Sequence, residues 1–214
     1  MKRVAPLLSL TVIALLSACS SPPVRYHTLL TPASPVAPLS FMANTTHAAP
    51  FFIDVLPVGM PAQLDTSQIV IRQGDSGAVV LDNERWLSPL NEEIRTALSA
   101  DLTQRLNTQD VSGLVRSADT PVVRIHLQVR RFDSWPSQSV AFDADWSLSA
   151  VGEENGRAQL ICRSQFTEQV ANRDTAMLHA QQLVITRLGE QIAATATRWM
   201  PDRQGTCLTP PRRP

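Results

Sequence analysis

The chain has 214 residues, 19 basic and 19 acidic side chains, and a formal net charge of zero at neutral pH. This length is sufficient for one domain with its own core. The balanced charge gives no basic footprint for nucleic acid and no lysine or arginine run for anionic lipid, which argues against proteins that bind through charge alone.

Residues 1–18 have the three-part layout of a bacterial secretion signal. A positive start is followed by a mostly apolar stretch from Val4 to Leu16, and the small pair Ser17-Ala18 precedes Cys19. This stretch, about 13 residues long, is shorter than the roughly 20 residues that a membrane-spanning helix needs. We therefore predict that residues 1–18 are a cleaved signal peptide and that Cys19 is lipidated.

Lipidation of Cys19 places three acyl chains on the mature N-terminus. Three chains anchor a protein stably because each buried methylene contributes about 0.8 kcal/mol. Ser20 follows the cysteine, whereas Asp at this position favours retention at the inner membrane, so we expect the periplasmic face of the outer membrane. The alternative is an ordinary signal peptide with Cys19 as an incidental thiol, against which the small pair before it argues.

Residues 19–50 are predicted to form an N-terminal tether. Its prolines indicate extended or irregular chain. Within it, residues 25–30 are a candidate for a short edge strand that holds the lone tyrosine, Tyr26, against the domain. The free tether would then be only Ser20 to Val24, which at about 3.1 Å per residue puts the folded body within about 15 Å of the membrane.

Residues 51–200 are predicted to form the folded domain, and residues 201–214 a C-terminal tail. Three apolar runs predict strands. They are Phe51–Leu56, Gln68–Arg72 and Ala78–Leu81.

A first helix is predicted to run to about Leu106. Ser88 is the expected N-cap and Pro89 the first helical residue. From Leu90 onward apolar residues recur every four positions, which indicates a buried stripe. Glu93 is assigned to the opposite, polar face.

The second half of the domain predicts three alternating strands and a helix. Val123–Arg130, Val140–Leu148 and Ala158–Phe166 each alternate apolar and polar residues, which is typical of an antiparallel meander with one wet face. Residues 153–156 form the expected hairpin turn, and a helix follows from about Asp174 to Trp199. The fold class is therefore α+β, a two-layer arrangement in which a mostly antiparallel sheet packs against two amphipathic helices.

Two cysteines remain besides Cys19, and the compartment oxidises thiols. A disulfide between Cys162 and Cys207 would tie the tail to a strand and close a loop of about 45 residues. The alternative leaves Cys162 as a buried free thiol on the apolar face of its strand and Cys207 exposed.

The tetrapeptide Gly74-Asp75-Ser76-Gly77 copies the nucleophile motif of chymotrypsin-like proteases. In that family the histidine lies far ahead of the serine on a complete barrel half. Here only His27 and His47 precede Ser76, and the tetrapeptide joins two short apolar runs as a turn would. We interpret it as a turn and expect no catalytic residue.

The sequence also lacks the residue patterns that are typical of metal and cofactor sites. His126 and His179 could meet in principle, but an unpartnered surface histidine is far commoner than a ligand. Asp143 and Asp145 share a strand face, which a solvated polar surface explains. We expect no metal and no cofactor.

The segment Asn83-Glu84-Arg85-Trp86-Leu87-Ser88-Pro89-Leu90 resembles the PqiC (YmbA) family of ABC-type transport auxiliary lipoproteins. Cys19, the Tyr26–Leu29 element, the strand before Pro57 and the terminal helix support the resemblance. The sequence departs from the family in having His27 where a tyrosine is common, in its two further cysteines, and in a longer tail. Within the signature, Trp86, Ser88, Pro89 and Leu90 are expected to be structural, with Trp86 as a hydrophobic staple at the helix start.

The resemblance implies a non-catalytic accessory protein at the outer membrane. Its implied partner is an MCE-domain protein that is anchored in the inner membrane and carries lipids across the periplasm. The resemblance further implies docking through a sheet edge or loops, and a homo-oligomer. Two alternatives remain: an envelope assembly or binding lipoprotein unconnected with lipids, and a serine hydrolase that uses Ser76.

Overall fold

The computed structural model describes residues 22–31, 48–115, 120–151, 158–171 and 175–208. It contains seven strands and two helices in these ranges. In chain order they are β1 (Arg25–His27), β2 (Phe52–Val55), β3 (Gln68–Gln73), β4 (Gly77–Trp86), α1 (Leu90–Leu106), β5 (Val122–Trp135), β6 (Ser139–Val151), β7 (Gln159–Gln169) and α2 (Ala176–Trp199). The α+β class expected from the sequence is confirmed.

The larger sheet has four strands in the order β2-β5-β6-β7. The predicted antiparallel meander forms its β5, β6 and β7, while the hairpin turn at 153–156 lies outside the described residues. β2 runs parallel to β5, with Phe52 opposite Val122 and Val55 opposite Ile125. Parallel strands need a long crossover connection, and here β3, β4 and α1 form it.

A separate sheet has three strands in the order β1-β4-β3. The first three predicted strands are therefore divided between the two sheets, since β2 pairs with β5. The physical reason is burial. Ile53 and Val55 are almost completely inaccessible to solvent, as in a strand between covering layers, whereas β3 and β4 form an exposed hairpin.

The two helices supply the second layer, and their apolar stripes are buried as predicted. The fully buried members are Ile94, Leu98 and Leu102 on α1, and Val184, Leu188 and Ile192 on α2. Two side chains differ from expectation. Glu93, assigned to the polar face, is only 4 % exposed, and Tyr26, expected to pack on the domain, is 61 % exposed. Leu29, three residues later, enters the core in its place.

The helices approach closely where Asp101 faces Gly189. A Cβ at Gly189 would overlap Oδ2 of Asp101, so glycine permits this crossing. The same carboxylate accepts a hydrogen bond from Arg105 Nε at 2.6 Å. Burial nevertheless raises the pKa of Asp101, because desolvation outweighs the attraction of the guanidinium.

The helices begin at one end of the large sheet, and α1 ends at the other. Near the start of α2, Gln181 Nε2 donates to Ser134 Oγ at 2.9 Å, and Leu90 lines the same small internal space. Ala49 N–H, just before β2, donates to the carbonyl of Leu106 at the end of α1. The 14 residues of β5 rise about 3.3 Å each, which separates the ends by roughly 40 Å. We call the end with the helix starts the proximal end, and the end where β2 and β5 begin the distal end.

A disulfide joins Cys162 on β7 to Cys207, across a separation of 45 residues. A buried polar chain lies beside it: Trp146 Nε1 donates to Ser164 Oγ, which donates to Gln191 Oε1, each at 2.7 Å. Gln191 Nε2 then donates to the carbonyl of Leu208 at 2.6 Å. Residues 201–208 are thus held against β7 and α2, while residues 209–214 lie outside the described part. No described helix is long and apolar enough to cross a membrane.

Replacing Cys162 and Cys207 together by serine should lower the free energy of unfolding. The disulfide restricts a loop of 45 residues in the unfolded chain, which corresponds to about 4 kcal/mol in the chain-entropy account. Urea denaturation should show the loss. Wild-type protein under reducing conditions is the control and should match the double variant. Equal stability of oxidised and reduced wild type would contradict the prediction.

Candidate functional site

Four hydrogen bonds converge on the buried carboxylate of Glu93. Thr28 Oγ1 donates to Oε2 at 2.8 Å and the Leu29 N–H donates to the same oxygen at 3.0 Å. Ser88 donates to Oε1 twice, from its hydroxyl at 2.9 Å and from its N–H at 3.1 Å. We call Thr28, Leu29, Ser88 and Glu93 the Glu93 clamp.

The hydrogen bonds of the Glu93 clamp offset the free-energy cost of burying a carboxylate. A carboxylate that is buried without hydrogen bonds strongly destabilises a fold, whereas each hydrogen bond to a charged group contributes about 1.5–3 kcal/mol. Glu93 also lies in the first turn of α1, where the helix dipole favours negative charge. The carboxylate is therefore stable only when the N-terminal segment and the residues before α1 are both in place.

The start of α1 differs by one residue from the sequence prediction. The carbonyl of Pro89 accepts the first helical hydrogen bonds, from Glu92 at 2.9 Å and Glu93 at 3.0 Å, so Pro89 and not Ser88 is the N-cap. Ser88 lies one position before the cap and contacts Glu93 in the first turn. A hydrophobic staple joins the residue before the N-cap to the fourth helical residue. Here those residues are Ser88 and Glu93, whose contact is polar, and Trp86 is not the staple.

Trp86 instead ends β4, where its side chain is 2 % exposed. Its N–H donates to the carbonyl of Ser67 at 2.7 Å, and the next N–H, of Leu87, donates to His27 at 2.8 Å. Leu90 is buried beside it and donates from its N–H to Thr66 at 3.2 Å. The signature segment therefore connects β4 to β1, to the loop before β3 and to α1.

Further polar contacts hold the N-terminal segment on its other sides. Glu84 lies 3.0 Å from Arg25 Nε and also accepts from the His27 ring. From α2, Gln182 Nε2 donates to the carbonyls of Thr28 and Leu30 at 3.1 and 3.3 Å. Residues 25–30 are thus fixed to the proximal end of the domain. Cys19 lies outside the described residues, and Pro22, three positions later, is the first described residue.

The loop before β5 is held at the distal end by Asp110. Its Oδ2 accepts from Ser99 Oγ of α1 at 2.6 Å, and its Oδ1 accepts from the N–H groups of Val55 and Ser112 at 3.3 and 3.0 Å. The loop then presents two apolar side chains to solvent. Leu114 is 65 % exposed and Val115 is fully exposed.

The motif residues of the enzyme alternative lie apart from these contacts. Ser76 is exposed in the turn between β3 and β4, and His47 lies outside the described residues. His126 is on the open face of the large sheet, whereas His179 is on α2, which covers the other face, so the two do not meet. Among the described residues no three potential ligands cluster as a metal site would require.

The carboxylates on the open face of the large sheet form ion pairs with arginines. Asp143 lies 3.3 Å from Arg131 Nε, and Asp145 lies 2.8 Å from Arg130 Nε and 3.9 Å from Arg163 Nε. These partners are on the neighbouring strands β5 and β7. The aspartates are thus part of a cross-strand charge ladder.

A family model described as the ABC-type transport auxiliary lipoprotein component matches residues 28–193. The chain belongs to this family. The match begins at Thr28, the first donor of the Glu93 clamp, and includes the whole signature segment. Membership identifies a membrane-anchored lipoprotein of the cell envelope.

Solved structures share the fold at low sequence identity. An uncharacterised protein superposes with a TM-score of 0.60 at 17 % identity, over 81 % of this chain and 98 % of that one. A Xanthomonas campestris protein of the DUF330 family superposes with a TM-score of 0.55 at 13 % identity, over 72 % of this chain and 89 % of that one. No curated protein matched the sequence significantly.

Replacing Glu93 by glutamine should destabilise the fold and loosen the N-terminal segment. The amide group of glutamine would face two donors on one side, which leaves them unsatisfied, and we expect a loss of about 2–4 kcal/mol in the free energy of unfolding. Urea denaturation measures the loss, and hydrogen exchange should show faster exchange of the Leu29 amide.

Glu92→Gln is the matched control for this variant. Glu92 is adjacent in the sequence, its side chain is 44 % exposed, and it pairs with Arg95 on the helix surface. Its replacement should change the free energy of unfolding by less than about 0.5 kcal/mol. Similar losses in the two variants would show that the clamp has no special role.

Proposed function

We propose that this auxiliary lipoprotein is a non-catalytic docking subunit at the outer membrane. Its anchor is Cys19, and its partner is an MCE-domain protein that is held in the inner membrane and reaches across the periplasm. The observation that supports this role best is the arrangement of the two ends. The lipid-bearing N-terminus is fixed to the proximal end, and an exposed apolar loop is fixed to the distal end.

The distal loop has the properties of a protein-docking surface. Leu114 and Val115 are exposed, yet the loop before them is held to α1 and β2 through Asp110. Apolar side chains on a rigid support bind with little loss of conformational entropy. Asp110 lies beside Val55, which pairs with Ile125, so about ten residues of β5, or roughly 30 Å, separate the support of the loop from the proximal end. Several copies in a ring would present the loop with the symmetry that suits a tubular partner.

The other candidate functions have less support. A binding lipoprotein unconnected with lipid transport fits the same two-ended arrangement, because the fold does not determine the cargo. The hydrolase alternative depends on Ser76, which is exposed in a hairpin turn. A Ser76→Ala protein that loses an activity present in wild type would revive it.

The partner can be identified by crosslinking from the distal loop. With a photoreactive amino acid in place of Val115, an MCE-domain protein should be captured in living cells and identified by mass spectrometry. The control position is Gln165, which is exposed on the open face of β7 and should not capture it. Capture of assembly or cell-wall proteins from Val115, with no MCE-domain protein, would contradict the proposal and favour the unrelated binding lipoprotein.

The assignment to the outer membrane can be tested at the residue that follows Cys19. Ser20→Asp should move the protein from the outer to the inner membrane fraction on a sucrose gradient, because Asp after the lipidated cysteine favours retention. Ser21→Asp is the matched control and should leave the protein in the outer membrane. Cys19→Ala should release it from both membranes. If Cys19→Ala leaves the protein membrane-bound, the anchor is not at this residue.

A further inference from the structure

We propose that one face of the small sheet, formed by Val24, Tyr26 and Leu87, lies in the headgroup region of the anchoring membrane. We call these three residues the contact face. The inference goes beyond partner docking, and it rests on the proposed lipidation of Cys19.

The strand register places the three side chains together. β1 pairs in parallel with β4, with Tyr26 opposite Arg85. Side chains alternate along a strand, and Arg25 and His27 both point to Glu84, so Val24 and Tyr26 point the opposite way. The Leu87 N–H continues the ladder to His27, and Leu87 follows Arg85 by two residues. It therefore shares the face of Tyr26.

All three side chains are exposed although all are apolar or aromatic. Val24 is 41 % exposed, Tyr26 is 61 % exposed and Leu87 is 69 % exposed. Single apolar residues on a surface are ordinary, but a group on one strand pair is typical of a contact surface. On the reverse side of this sheet, Trp86 is 2 % exposed. At this end of β4 the small sheet thus has one side that the domain covers and one that it leaves open.

The short distance to the anchor identifies the occupant as a membrane. Val24 lies five positions after Cys19, and even a fully extended chain of that length spans only about 18 Å. Pro22 and Pro23 favour an extended backbone just before Val24. Since the Glu93 clamp and Glu84 fix residues 25–29 to the domain, the domain cannot move the contact face far from the lipid. A lipid surface is therefore always within reach.

The chemistry of the face also suits a phospholipid interface. Tyrosine prefers the headgroup level, where its ring is in an apolar layer and its hydroxyl in a wet one. Valine and leucine can enter the acyl boundary beside it. Arg85 lies opposite Tyr26 and two residues before Leu87 on this face, and an arginine at such a depth extends its guanidinium to the phosphates. The face thus combines shallow apolar insertion with a phosphate contact.

Depth-dependent quenching tests the proposal on the full mature lipoprotein in phospholipid vesicles. Single variants Tyr26→Trp and Leu87→Trp are compared with wild type in vesicles that contain brominated phospholipid. We expect the added tryptophan to lose about half or more of its fluorescence. The matched control is Ile161→Trp, because Ile161 on β7 is also 69 % exposed, and it should lose none.

The other quenching results overturn the proposal in distinguishable ways. Equal quenching in Leu87→Trp and Ile161→Trp would mean that no face is preferred. Absence of quenching, with a concentration-dependent blue shift of the added tryptophan, would mean that a second copy of the chain covers the face. Mass spectrometry of the N-terminal peptide checks the acyl chains, and an unlipidated Cys19 would overturn both this proposal and the anchor. Quenching as expected, without capture of an MCE-domain protein from Val115, would leave this proposal standing and refute the docking role.

Discussion

The carboxylate of Glu93 is the interaction on which the N-terminal half of the fold depends. It is 4 % exposed, and a carboxylate at that depth is tolerated only when donors surround it. Its donors come from two separate segments, Thr28 with Leu29 and Ser88. Folding must therefore bring the N-terminal segment, the end of β4 and the start of α1 together at once. A merely apolar contact at this place would hold the same segments with less positional specificity.

A second carboxylate has the corresponding role at the distal end. Asp110 joins Ser99 of α1 to Val55 of β2 and to the loop that follows. The parallel pairing of β2 with β5 makes this possible, because the crossover through α1 returns the chain to the edge of the same sheet. Both ends of the domain are thus fixed by hydrogen bonds to a carboxylate. The apolar core between them, around Ile94 and Leu188, holds the two ends at a constant separation.

Periodicity in the sequence predicts the helices and strands well, but it predicts less well which strands pair with each other. The meander and both helical stripes follow from alternation with periods of two and about four residues, which report burial directly. The pairing of β2 with β5 has no such signal, since an apolar run fits either sheet. The sequence does hold one clue to the clamp: Glu93 is three residues after Leu90 and four before Ala97, which places it on the buried stripe. The expectation that a charged residue faces solvent outweighed that spacing, and a glutamate with four donors from distant segments is invisible to local patterns.

The fixed N-terminal segment determines how the lipid anchor and the distal loop are coupled. With a long flexible tether, the distal loop would sample many heights and orientations, and the effective concentration of the loop at a partner would fall as the tether lengthened. Here Arg25, where β1 begins, is six positions from Cys19, and the clamp makes the following segment part of the body. If Cys19 bears the lipid, the few residues before β1 keep the domain close to the membrane. The distance of Leu114 and Val115 from the lipid is then limited by the dimensions of the folded domain and not by a long linker, which is the property that the proposed docking role requires.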